Sequence, residues 1–194
     1  ATAQDVAAEW HLVRGYPREI LSAHARYTDL VIVGQPDPAH EEYGGTAGLL
    51  GDLAIGAGRP ILVVPHAGHH AGLGKRILLP WNDSREATRA AHDALPLLKA
   101  AEQVIVLVVN ADDDLASVEE ISAHLARHGV TVEAKTEKVK GLDIGDAVLN
   151  AVSDLSCDML VMGAYGHSRL REYVLGGVTV HIMNHMTVPT LFSH

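Results

Sequence analysis

Three glycines at fixed spacing, Gly163, Gly166 and Gly176, follow the short apolar run Met159 to Met162 and lead into a helical pattern. A residue without Cβ lets the backbone turn sharply and bring its N–H groups close to an anion. A strand, a glycine loop and a helix N-terminus together make a phosphate cradle, although the same residues also suit an ordinary βα loop. His167, Arg169 and Arg171 stand beside the glycines. A cationic imidazole or guanidinium there could approach phosphate, or simply line a solvated helix turn. Gly177, Val178 and Thr179 open the next helix, and Thr179 adds a hydroxyl.

Other chemistry-bearing residues form no catalytic set. The chain has 13 histidines, which raises the question of a metal. His181 and His185 are four apart on a predicted helix and share one face, as in many zinc sites, but no third ligand is in sight. His66, His69 and His70 fall in a glycine-rich stretch that reads as a solvated linker. Cys157 precedes a strand without a redox partner nearby and reads as a buried structural thiol. Asp143 and Asp146 sit at a helix start, where capping accounts for them. No catalytic residue and no metal site are predicted.

Composition bounds the function classes. With 194 residues, 47% of them hydrophobic, the chain can bury a substantial core as one domain or two small ones. A formal charge of −9 with no basic block argues against a nucleic-acid or membrane-surface binder. A single cysteine excludes a disulfide framework and suits a reducing compartment. No apolar run reaches membrane-spanning length and the first residues lack a signal-peptide pattern, so a soluble cytoplasmic protein is expected.

Strands and helices alternate along the chain. Pro17 opens a helix carrying Ile20, Leu21 and Tyr27, and Asp29 to Gly34 reads as a buried parallel strand. A polar, turn-rich stretch from Gln35 to Gly45 leads to a helix over Thr46 to Ala57 and a second strand over Arg59 to Pro65. After the linker, Ile77 to Leu79 forms a strand, and Asp83 or Ser84 caps a helix that Pro96 should kink or end. Val104 to Val109 is the strongest strand signal. A helix ending at Gly129, a strand at Val130 to Ala134 and a helix from Ile144 to Leu155 follow. The glycine stretch, a helix to about Met186 and a strand at Val188 to Phe192 complete the pattern. Such alternation predicts an α/β fold with a doubly wound parallel sheet, whose ligands bind at the carboxyl ends of the strands.

The chain also repeats itself. Asp29–Gly34 matches Asp158–Gly163 and Pro60 to Val63 matches Pro189 to Phe192, both at an offset of 129. Val13 to Gly15 matches Val139 to Gly141 at an offset of 126. The second copy begins near Lys75, so an equivalent start for the first would fall about fifty residues upstream of Ala1. The expected organisation is a partial first repeat over 1–66, a linker over 67–74 and a complete domain over 75–194.

These residues resemble the universal stress protein family. The family's nucleotide motif is glycine, two residues, glycine, nine residues, glycine, then serine or threonine, and Gly163, Gly166 and Gly176 keep its spacing. The opening Trp81-Asn82-Asp83-Ser84 and the ending Val188-Pro189-Thr190-Leu191 add to the likeness, which covers 75 to 194 with a degenerate match over 9 to 66. It implies a five-stranded adenine nucleotide alpha hydrolase-like sheet, preceded by a partial copy of the same fold in a tandem protein with a truncated first repeat. It further implies ATP, with or without Mg. Asn82 takes the place of the family's acidic adenosine ligand, with Ser84 beside it, and the backbone near Val108 and Val109 meets adenine. The loop from Gly163 to Gly166, with Gly176, Gly177, Val178 and Thr179, holds the phosphates. Two departures stand out: Asn82 lacks the carboxylate charge, and Gly177 replaces a hydroxyl residue.

In the first repeat, Asp37 falls where Gly166 stands in the second, and a carboxylate beside phosphate is unfavourable. That half is expected to bind no ATP by the family mode and to serve a structural role. The family's final strands pair antiparallel across dimer interfaces, so Ile61 to Val64 is expected to pair with Thr190 to Phe192, either within the chain or in a homodimer. The function expected is a stress-response sensor or adaptor that binds an adenine nucleotide, with at most slow ATP hydrolysis and a protein partner the sequence does not name. The alternatives are a nucleotide-free structural or dimerisation protein and an ATP-hydrolysing enzyme on the same fold.

Overall fold

The computed structural model of the chain describes residues 7–35, 46–68, 72–110, 116–166 and 177–194. In chain order the elements are α1 (Pro17–Ala25), β1 (Val31–Gly34), α2 (Thr46–Gly56), β2 (Ile61–Val64), β3 (Arg76–Pro80), α3 (Arg85–Asp93) and α4 (Leu95–Ala100). They continue with β4 (Gln103–Val109), α5 (Ala116–Arg127), β5 (Val132–Glu137), α6 (Ile144–Asp154), β6 (Met159–Gly163), α7 (Val178–His185) and β7 (Thr190–Ser193). No helix among the described residues is long and apolar enough to cross a membrane.

All strands join one sheet in the order β1-β2-β7-β6-β3-β4-β5. The five from β7 to β5 are parallel neighbours, as the second repeat predicts. From β3 the chain steps outward to β4 and β5, then returns to β6 on the other side of β3. With crossovers of one hand, this reversal moves the helices to the opposite face. Accordingly α3, α4 and α5 pack on one face around Ile77, Leu79, Val104 and Val106. Helices α2, α6 and α7 pack on the other around Leu78, Ile105, Leu107, Leu160 and Phe192. The alternation of β4 between the two clusters is the period-two pattern of a strand buried on both faces.

β2 lies antiparallel to β7, with Ile61 opposite Phe192 and Val63 opposite Thr190. β1 continues outward, parallel to β2. The buried strand expected at Asp29 to Gly34 needs correction. Among the described residues β1 is an edge strand with β2 as its one neighbour, and Ile32 on its outer face is 64% exposed.

Local signals account for the boundaries. Pro17 occupies the first turn of α1, where its missing N–H costs nothing. Pro96 does end a helix: α3 stops at Asp93 and α4 restarts with proline in its first turn. Gly129, at φ +84°, closes α5 in the left-handed conformation. The end of the predicted linker is anchored. The Asp158 carboxylate accepts from the backbone N–H groups of Gly74 (3.0 Å), Lys75 (3.0 Å) and Arg76 (3.2 Å). At the same end of the sheet Gln35 is buried, and its Nε2 donates to the Met183 carbonyl (2.8 Å) at the open end of α7.

Cys157 is buried as expected, and desolvation pushes its thiol up to about 11. A protonated, enclosed thiol is a poor nucleophile. Cys157 is therefore expected to react with a thiol reagent only under denaturing conditions; stoichiometric labelling of the folded chain within seconds would contradict this burial.

Histidines from three places meet on the α3/α5 face. The His124 ring centroid lies 5.1 Å from that of His92 and 4.8 Å from that of His128. Burial, then His128, His92 and Arg127, hold His124 below its ordinary value of 6.5. The folded chain therefore binds less proton here than the unfolded chain at mildly acidic pH, so stability rises with pH in that window. This contribution is complete above 6.5 and lost as pH falls below it. Melting temperatures across this range should decline on acidification, and His124→Leu should flatten that decline.

Candidate functional site

A cavity of about 210 Å³ opens at the carboxyl ends of β3, β4 and β6, beside the strand-order reversal. This is where parallel sheets hold ligands. Apolar lining comes from Leu107 and Val109 of β4, Ile144 and Val148 of α6, and Met162 of β6, with Pro80, Trp81 and Ala87 around the start of α3. Polar lining comes from Asn82, Ser84 and Glu86 before and within α3, and from Thr179 of α7. Ile144, the first residue of α6, is 45% exposed, an apolar surface left open at the cavity.

The polar lining is built mainly by the start of α3. Ser84 is its N-cap: its Oγ accepts from the Ala87 N–H (3.1 Å) and donates to Asn82 Oδ1 (2.7 Å). Asn82 Oδ1 also receives the Ser84 N–H (3.3 Å). Between them Asp83 adopts φ +55°, a left-handed conformation that Asp tolerates better than most residues. Both predicted residues thus line the cavity while bonding to one another.

Gly163 and Gly166 have a close-approach reason to be glycine. A Cβ on Gly163 would lie 2.6 Å from both the Ala87 nitrogen and the Glu86 carbonyl carbon, inside the backbone of α3. A Cβ on Gly166 would lie 3.0 Å from Glu86 Oε2 and 3.6 Å from Ser84 Oγ. Absence of side chains there lets the end of β6 seat directly on α3 and keeps the cavity open.

Tyr165 links these glycines at φ +56°. Its N–H donates to Thr179 Oγ1 (3.1 Å), a buried hydroxyl on α7. Its ring lies against α2, where a Cβ on Gly51 would come within 2.3 Å of the phenol oxygen. Helix α2 thereby packs against Tyr165, just past the end of β6. Ala164 is fixed from the chain end, its N–H donating to the Ser193 carbonyl (2.8 Å). Helix α7 begins at Val178 with Gly177 as N-cap and no side-chain cap, which leaves its first N–H groups and the positive end of its dipole near the cavity.

The predicted site residues divide accordingly. Asn82, Ser84, Val109, Gly163, Gly166, Val178 and Thr179 line one cavity. Gly177 borders it through Val178 without lining it, and Val108 turns to the opposite cluster on the α3/α5 face. His167, Arg169 and Gly176 lie outside the described residues, as do Arg171, His69 and His70. Sequence reasoning missed Glu86, Leu107, Ile144, Val148 and Met162. The strand period could have supplied Leu107, since it shares a face with Val109.

The remaining candidates have structural partners. Asp143 caps α6 by accepting from the Gly145 N–H (2.8 Å). His181 Nε2 stands 2.9 Å from Asp146 Oδ1, close enough for an ion pair but without the alignment of a hydrogen bond. The His181 and His185 rings stack at 4.4 Å, and His185 Nδ1 lies 2.9 Å from the His181 carbonyl. His66 bonds to Gln35 Oε1. Among the described residues no three metal-binding side chains are grouped to hold an ion.

Comparison with known proteins places this geometry. The profile of the universal stress protein family matches residues 74–194. A universal stress protein of Synechocystis is 37% identical over 46 residues, covering 24% of this chain and 16% of that protein. Among solved structures, a universal stress protein from Archaeoglobus fulgidus superposes with TM-score 0.68 at 19% identity, over 90% of this chain and 63% of its own. A protein of unknown function from Pseudomonas aeruginosa gives 0.57 at 14% identity, over 93% and 68%. A universal stress protein in complex with cAMP gives 0.52 at 18% identity, over 62% of this chain and 97% of its own. This chain thus spans less than two thirds of the Synechocystis and Archaeoglobus proteins. With the profile match extending over well more than half of its residues, the chain belongs to the universal stress protein family.

Proposed function

We propose that this chain binds an adenine nucleotide in the cavity at the ends of β3, β4 and β6, and acts as a stress-response sensor or adaptor. The observation that carries the reading is the polarity of that cavity. An apolar lining of Leu107, Val109 and Val148 suits a purine, and Gly166, Thr179 and the uncapped start of α7 suit phosphate. The relative solved with cAMP supports an adenine ligand at this fold. When bound, ATP would supply a charged, removable group. Asn82, Ser84 and Thr179 would hold it by hydrogen bonds.

The sensor role follows from position. Tyr165 joins the glycine strand end to α7 through Thr179 and to α2 through its ring, so a ligand touching Gly166 reaches both repeats. We read residues 1–66 as part of a first tandem repeat that has a structural role and joins the complete domain through β2 and β7. The Archaeoglobus chain, longer than its match to this one, supports a tandem form. The in-chain strand pairing takes the place that a homodimer contact would otherwise fill. A cytoplasmic setting agrees with the single buried free thiol.

Acid extraction of purified protein followed by chromatography tests the reading, together with melting curves at millimolar ATP. Co-purified adenine nucleotide or a raised melting temperature supports it. Absence of both moves the function to the nucleotide-free structural reading, and turnover above about 1 s⁻¹ moves it to an enzyme.

A further inference from the structure

Glu86 is the one ionisable side chain among the described residues that line the cavity. It stands in the first turn of α3 and is 8% exposed. Buried carboxylates normally have a cationic partner or a full set of donors. Among the described residues, the cation beside this one is Arg85, whose Nε lies 3.4 Å from Oε1, but that side chain is 77% exposed and its charge is screened by water. The second oxygen, Oε2, faces the glycines, 3.0 Å from where a Gly166 Cβ would sit. The hydroxyl nearest that point, Ser84 Oγ, is already engaged by Asn82 and Ala87.

Among the described residues, the ionisable group at the end of the cavity suited to phosphate is therefore the Glu86 carboxylate. A free polyphosphate against Gly166 would meet that carboxylate at short range in a partly desolvated site, where like charges repel strongly. A divalent cation reverses the sign of the contact. Mg²⁺ is commonly held by one or two carboxylates plus phosphate oxygens and water. We propose that Glu86 determines specificity in this pocket, admitting a nucleotide polyphosphate only as its divalent-cation complex, with the ion shared between the Glu86 carboxylate and phosphate oxygens. The proposal rests on the nucleotide-binding reading above. It concerns selection of the ligand and requires no catalysis.

Calorimetric titration with ATP in Mg²⁺, ATP in EDTA, and adenosine tests it on the wild-type chain and on Glu86→Gln. The wild type should bind ATP about tenfold or more tightly with Mg²⁺ than with EDTA. In Glu86→Gln that ratio should collapse towards one through a gain of affinity in EDTA, with adenosine binding unchanged. A wild type that binds ATP equally in Mg²⁺ and EDTA overturns the proposal, as does an undiminished Mg²⁺ dependence in a folded Glu86→Gln. If adenosine binds and ATP does not under either condition, the shared ion is wrong and the adenine pocket stands. If no ligand binds, the nucleotide reading itself fails.

Discussion

Gly163→Ala is expected to destabilise the chain by about 2–3 kcal/mol, a loss that overpacking of a close contact typically causes. For a chain of this size that lowers the melting temperature by about 5–10 °C. The cause is steric. The added methyl would lie 2.6 Å from two backbone atoms of α3, and backbone cannot rotate away as a side-chain end can. Strain in the glycine itself plays no part, because Gly163 is not in the left-handed region. Either β6 or the first turn of α3 must move, and the first turn carries the Ser84 cap and Glu86. Differential scanning calorimetry measures the effect. A melting temperature within 1 °C or so of wild type, where overpacking should cost several degrees, would show that α3 does not press on β6 this closely.

Gly166→Asp is expected to abolish nucleotide binding, weakening it by about a hundredfold or more, while leaving the fold intact. Gly166 also lies outside the left-handed region, so the backbone accepts a side chain. The new Cβ would stand 3.0 Å from Glu86 Oε2, and its carboxylate would project into the same end of the cavity. A phosphate about 4 Å from the new carboxylate is repelled by about 4 kcal/mol at an effective dielectric of 20. This exceeds what one backbone hydrogen bond contributes. Asp37 stands 129 residues before Gly166, the offset at which Asp29–Gly34 matches Asp158–Gly163, so the variant copies a residue already present in the sequence. Fluorescence titration with a labelled ATP analogue reads the change, and near-native circular dichroism separates it from unfolding. Retained affinity would move the site away from Gly166.

Much of this was legible in the residues themselves. Ile77 to Leu79 and Val104 to Val109 are apolar runs without helical period, and a strand covered on both faces requires that pattern. Pro96 and Gly129 mark helix ends because each restricts or frees the backbone locally. What escaped depends on which elements meet. β1 has the composition of a core strand, but among the described residues it has β2 alone as neighbour. Nothing in the sequence sets Glu86 apart from other residues of a helix's first turn, and only the seating of α3 on Gly163 brings it to the cavity. Tyr165 gives no sign of its left-handed backbone, which is held by Thr179 and by the space Gly51 leaves on α2. His92, His124 and His128 come together only because α3 and α5 share one face of the sheet.

Isothermal titration of the wild-type chain with ATP in the presence of Mg²⁺ tests the central claim most directly. A cavity at the ends of β3, β4 and β6 that takes an adenine nucleotide should give saturable binding with a stoichiometry near one per chain, lost in Gly166→Asp. The absence of saturable heat at millimolar nucleotide, or equal binding by Gly166→Asp, would contradict it.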